Sequence, residues 1–259
     1  MNFFTIGGLV SRMTAAATSP QHASLRDGVW AQFFAFVRRP TLPDRATGMC
    51  AEAWPVLGKL LALDVLVMFV LAGTLAAVTR LGFVPPHSLL EQIKPSALVL
   101  AALALGAPVA EELLFRSWQS GRAGHIGALL IALGALALAG VTLGAGHSVP
   151  RAAGAAAVLL VGLGSALWWL RRGRAKPAMG WFQRHYAPFY FAATGLFALA
   201  HMTNFTGAMA WTLVPLTLPQ FSIGLMLGYV RVRFGLWSSM LLHATHNGLF
   251  MLLLVAGVG

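Results

Sequence analysis

Charge is scarce in this chain. Only 10% of its 259 residues are Asp, Glu, Lys or Arg, against about 25% in an ordinary soluble domain. A polar surface covering the whole molecule is therefore excluded. Acids are the scarcer sign, 7 against 18 Lys and Arg. A single cysteine, Cys50, excludes an intramolecular disulfide framework and a cysteine-based zinc cluster. No internal repeat, low-complexity tract or cleavable signal stands out: the apolar stretch from Asn2 to Val10 is short, and Arg12 follows it instead of preceding it. The HExxH pattern of many zinc proteases is also missing.

What is present is apolar. Hydrophobic residues make up 58% of the chain and the mean hydropathy is +0.75. Several runs reach the roughly 20 residues that a helix needs to cross the hydrocarbon core. The expected fold class is all-α, a polytopic membrane helix bundle of about seven transmembrane helices. Bounded by charge, Pro or Gly, the spans fall near 57–79, 95–118, 125–143, 152–169, 188–205, 212–230 and 236–258. Residues 1–54 are more polar and form an N-terminal cytosolic or interfacial segment; residues 55–259 form the transmembrane domain. The patch 30–37, followed by Arg38 and Arg39, has the makings of a short amphipathic helix in the interface.

The formal charge of +11 raises the question of nucleic acid. The basic residues are not gathered in a soluble arm, however. They sit between apolar runs, where they set topology and meet anionic lipid headgroups. With the N-terminus in the cytosol, 15 Lys and Arg fall on that side and three (Arg80, Lys94 and Arg151) on the other. The expectation is N-terminus in, C-terminus out, no nucleic-acid partner, and a setting such as a bacterial inner membrane.

Ionisable groups at membrane depth are costly and mark candidate sites. In the second span stands Glu111-Glu112-Leu113-Leu114-Phe115-Arg116. Glu112 and Arg116 are four apart and share a helix face, so they can pair. Glu111 points about 100° away, without a local partner. An unpaired carboxylate in a dry site suits a general base. Both acids could equally be structural, each met by a cation on another helix. His201 ends the run Phe197-Ala198-Leu199-Ala200-His201, and His243, Thr245, His246 and Asn247 share the last span. His243 and Asn247 face one side. Any one of these histidines alone is explained by a hydrogen bond to a neighbouring carbonyl; the set on three apolar helices is harder to dismiss. At 1.5 Å per residue, Glu111 and His243 lie ~10–15 Å from the cytosolic boundary and His201 ~20 Å, a mismatch that calls for a fifth span beginning closer to Trp181 or for a tilted or broken one.

The order EExxxR, FxxxH and HxxxN, running from Glu111 to Asn247, resembles the CPBP family. This is the CAAX-protease and bacteriocin-processing group, which includes the type II CAAX prenyl endopeptidases. The resemblance implies an intramembrane endopeptidase in which Glu111 and His201 activate water, His243 and Asn247 stabilise the oxyanion, and Glu112 and Arg116 form a supporting pair. It leaves the cofactor open between none and zinc, the latter held by Glu111, His201 and His243; a metal-free mechanism is preferred. The implied partner is a peptide or protein substrate at the membrane, prenylated or not. Two other classes compete: a non-catalytic scaffold of the same fold, and a proton-coupled transporter, which would show repeats with broken helices.

The remaining polar residues carry less. His22, His87, His125, His147 and His185 fall at span ends or in polar stretches and are expected to be solvated. Asp64, inside the first span, could snorkel, pair or face the bundle. Pro215 and Pro219 are expected to kink the sixth span.

Overall fold

A computed structural model describes residues 28–89, 96–146, 148–173, 176–206 and 210–256. His22, His147, Arg12, Lys94 and the first half of the 1–54 segment lie outside them. The fold is all-α: α1 (Val29–Arg38), α2 (Ala53–Arg80), α3 (Ala97–Phe115), α4 (Ala123–Gly144), α5 (Val149–Gly173), α6 (Gly180–Arg184), α7 (Tyr186–Ala200), α8 (Leu218–Phe234) and α9 (Leu236–Val255). Two dipeptides, β1 (His87–Ser88) and β2 (Phe205–Thr206), pair antiparallel.

Five helical segments among the described residues are long and apolar enough to cross a membrane: α2, α3, α4, α5 and the stretch Trp211–Phe234 that ends in α8. The seven expected spans exceed this by two. α7 is only 15 residues long and passes into a 3-10 turn, His201–Asn204. α9 has 20 residues but carries Ser238, Ser239, His243, His246 and Asn247. Lipid-facing side chains such as Leu66, Phe69, Leu160 and Leu252 are largely exposed, as a bundle using lipid as solvent requires.

α8 is the central helix. Half of its span is buried, against 11–17% for the other four. Its inner surface (Ile223, Met226, Leu227 and Val230) packs with Leu60 of α2, Phe197 of α7 and Leu242 of α9 in one core. α1 docks on the same helix: Phe33 is buried with its ring 5.6 Å from Tyr229, and Phe36 sits 5.2 Å from Tyr229 and 5.3 Å from Tyr190. The patch expected to form a short helix does so, and it is pinned to the bundle while Trp30 and Phe34 stay exposed. α4 and α5 form a hairpin whose backbones touch at Gly124 and Gly173; a Cβ on Gly124 would stand 2.6 Å from the Gly173 Cα.

Prolines shape the two helices that matter most for the site. Pro108 has no N–H to donate, and its ring would strike the carbonyl four residues back. The chain relieves this with a π-turn over Ala102–Gly106, in which the Ala107 N–H reaches back to Ala102 O. The expected kink near Pro215 and Pro219 is also present, as a 3-10 turn over Val214–Thr217 before α8 begins. At the other end of α8, Gly235 at φ 101° turns the chain directly into α9. An L side chain is strained there, and this one-residue connection sets α9 against α8.

Candidate active site

The last two turns of α3 place Glu111 and Glu112 against the first half of α9 and the end of α7. Glu112 is fully buried and fully engaged. Its Oε1 accepts from Arg116 Nη1 at 2.7 Å and meets His243 Nδ1 at 3.0 Å; its Oε2 accepts from the Ser239 hydroxyl. Arg116, also fully buried, lies over the Phe197 ring with 4.0 Å to the centroid. The carbonyls at the end of α3 are covered from α8: Arg231 Nε donates to Arg116 O at 3.0 Å and Nη2 to Ser117 O at 3.3 Å. That meets a need every helix C-terminus has. Tyr186 donates to Gln119 Oε1 at 3.1 Å, tying α7 to the turn after α3.

Glu111 points the other way, as the 100° step requires. Its Oε2 is buried and has no hydrogen-bond partner among the described residues. Two imidazole nitrogens face it: His243 Nε2 at 3.6 Å and His201 Nε2 at 4.0 Å. The carboxylate and the His201 ring keep 27% and 20% of their side-chain surface accessible, His243 only 3%. The partners on the far side of each ring assign its tautomer. His243 Nδ1 faces the Glu112 carboxylate and His201 Nδ1 faces Phe197 O at 2.8 Å, both acceptors, so each Nδ1 carries the proton. Both Nε2 atoms are then left toward Glu111, able to accept a proton or, once protonated, to donate one.

Asn247 does not join this group directly. Its Nδ2 donates to Leu103 O at 3.0 Å. The π-turn makes that carbonyl available, since the Ala107 N–H that would bond it in an α-helix goes to Ala102 O instead. π-turns of this kind recur at functional sites. His246 turns to another side of α9 and meets Asp64 Oδ2 at 2.5 Å. Of the peripheral histidines, His125 Nδ1 lies 2.7 Å from the Ser120 hydroxyl and His185 Nδ1 2.8 Å from Trp181 O. They are engaged locally and not simply solvated.

A zinc held by Glu111, His201 and His243 would bring its ligands to about 3.3 Å from one another, given bonds near 2.0–2.1 Å in a tetrahedral shell. The spacing here is wider, and among the described residues no group of three or more His, Cys, Asp or Glu is arranged to hold a metal ion. The donor types would serve a metal ion.

Residues 93–182 and 178–249 match the family described as Type II CAAX prenyl endopeptidase Rce1-like. The chain belongs to that family. The match spans more than half of the chain and takes in Glu111, His201, His243 and Asn247. No curated protein and no solved structure matches the chain. Membership in the Rce1-like family indicates a membrane-embedded protease, an integral multi-pass protein of the intramembrane endopeptidase kind.

Sequence reasoning overlooked Ser239. It stands four residues before His243, so the helical spacing that linked His243 to Asn247 pointed to it as well. Gln220 was also passed over: its Oε1 is buried without a hydrogen-bond partner among the described residues, and nothing in its sequence neighbourhood beyond Pro219 marks it.

Proposed function

We propose that this chain hydrolyses peptide bonds within the bilayer at Glu111. One observation carries the reading: of two adjacent carboxylates, Glu112 is buried and saturated by Arg116, Ser239 and His243, whereas Glu111 is partly accessible and its Oε2 is unbonded and faces two imidazole Nε2 atoms. Saturation makes Glu112 a support. The unbonded oxygen makes Glu111 the base.

In the proposed reaction a water held between Glu111 and His201 Nε2 attacks the scissile carbonyl, and its proton passes to Glu111. The new oxyanion faces His243, whose Nε2 donates when the ring is protonated. Glu112 on the opposite nitrogen steadies that imidazolium. Asn247 keeps a second Nδ2 hydrogen beyond the one on Leu103 O, and it completes the donor set. Such donors are worth ~3–4 kcal/mol in the transition state. The C–N bond then breaks and the departing amine takes the proton from Glu111, which restores the starting state. No step is routed through a metal.

The substrate class is a peptide or protein segment delivered by the membrane, with the prenylated CAAX-type C-terminus named in the family description as the first to test. The basic ends of the helices are proposed to face the cytosol and anionic lipid, with the N-terminus inside and the C-terminus outside.

The test is cleavage of a fluorogenic CAAX-type peptide, prenylated and unprenylated, by the purified chain beside Glu111→Ala, with and without chelator. Activity is expected to vanish in Glu111→Ala and to survive chelation. Cleavage by Glu111→Ala removes the mechanism. Loss with chelator, restored by zinc, replaces it with a metal-dependent one.

A further inference from the structure

The inward face of α2 repeats at helical spacing: Ala53, Val56, Leu57, Leu60, Asp64 and Met68 are its buried residues. Five of these six are apolar and pack against the bundle. The sixth is an acid, fully buried, on a helix that crosses the membrane. A carboxylate there is costly, and if packing were its only purpose an apolar pair would fill the contact more cheaply. Asp64 Oδ2 instead meets His246 Nδ1 at 2.5 Å, while Oδ1 is buried without a hydrogen-bond partner among the described residues. The carboxylate accepts, so Nδ1 carries the proton and the ring orientation is set, as a carboxylate sets a histidine in many active sites.

His246 is not remote from the chemistry. It follows His243 by three residues, which makes the two neighbours on α9, and it precedes Asn247. The family match begins at residue 93, so Asp64 lies outside the residues that it covers.

We infer that Asp64 and His246 are positioning residues for the Glu111 reaction: Asp64 fixes the tautomer and orientation of His246, and the buried pair holds in register the turn of α9 that carries His243 and Asn247. This rests on the proposed role of Glu111. It gives α2 a part in the chemistry beyond anchoring the chain.

The experiment uses the full chain in detergent or nanodiscs with the fluorogenic peptide. Asp64→Asn and His246→Gln are each expected to lower kcat ~10–100-fold, the range for a lost orienting partner, with KM changed less than about threefold. The double variant is expected to lose no more than the worse single one, because both act through one ring. Asp64→Glu recovers part of the rate that Asp64→Asn loses. Asp64→Leu/His246→Leu is expected to stay folded, with a melting temperature near the parent's, and to remain slow. A merely structural pair predicts the reverse, with lost stability and a parental kcat in whatever protein survives. A folded Asp64→Asn at parental kcat, or losses that multiply in the double variant, overturns the inference. Glu111→Ala runs alongside: if it is active the site reading fails whatever Asp64 does, and if it is inactive while Asp64→Asn is fully active, only the role of Asp64 fails.

Discussion

Replacing Arg116 by leucine strands a buried carboxylate. Glu112 and Arg116 are both fully buried and 2.7 Å apart, and removing one partner of such a pair costs ~3–5 kcal/mol. The guanidinium also leaves the Phe197 ring, over which it sits at 4.0 Å, a desolvated cation–π contact worth roughly 2 kcal/mol. The sum, about 5–7 kcal/mol, is comparable to the whole stability of many domains, ~5–15 kcal/mol. Glu112→Gln/Arg116→Leu removes both charges together and is expected to recover ~2–3 kcal/mol of that loss, because no unpaired ion is left behind. Glu111→Gln is the contrast. Its Oε2 makes no hydrogen bond among the described residues, so the change is expected to cost no more than about 1 kcal/mol while abolishing turnover. The assay is unfolding in mixed micelles, by heat or added denaturing detergent, with activity measured on the same samples. If Arg116→Leu is no less stable than Glu111→Gln, or the double variant is as unstable as Arg116→Leu, the division into a supporting and a working carboxylate is wrong.

Two further outcomes are expected. Asn247→Ala leaves Leu103 O without its donor and costs ~1–3 kcal/mol, read as a lower unfolding midpoint together with a reduced kcat. Gly124→Val drives a side chain into the Gly173 backbone, where a Cβ already stands 2.6 Å from Cα. The resulting overpacking costs ~1–3 kcal/mol and lowers the melting temperature, whereas Gly134→Ala on the same helix, with nothing within 4 Å of the added Cβ, leaves it unchanged.

Much of the site was legible because helical geometry is local. The split between Glu111 and Glu112 follows from a 100° step, and the Glu112–Arg116 pair from a spacing of four. Asn247 was not legible in the same way. Spacing put it beside His243, but its amide goes to a carbonyl that is available only because Pro108 forces a π-turn one helix away. Counting depth along straight helices set His201 apart from Glu111, whereas the two side chains lie 4.0 Å from each other. The helix of Glu111 is followed by a 3-10 turn through Ser120, and α7 ends just before His201.

Composition and the position of charges by themselves determined that this chain lives in lipid as a bundle of helices, since neither property depends on how the helices meet. They also determined which residues are too costly at membrane depth to lack a reason. Only the tertiary structure decided the partners: that Ser239 completes the shell of Glu112, that Asp64 reaches His246 across the bundle, and that α1 closes over α8. Contacts between helices depend on tilt, register and the turns that join them. A glycine such as Gly235 or a proline such as Pro108 sets these through backbone geometry, and no periodicity in the sequence records it.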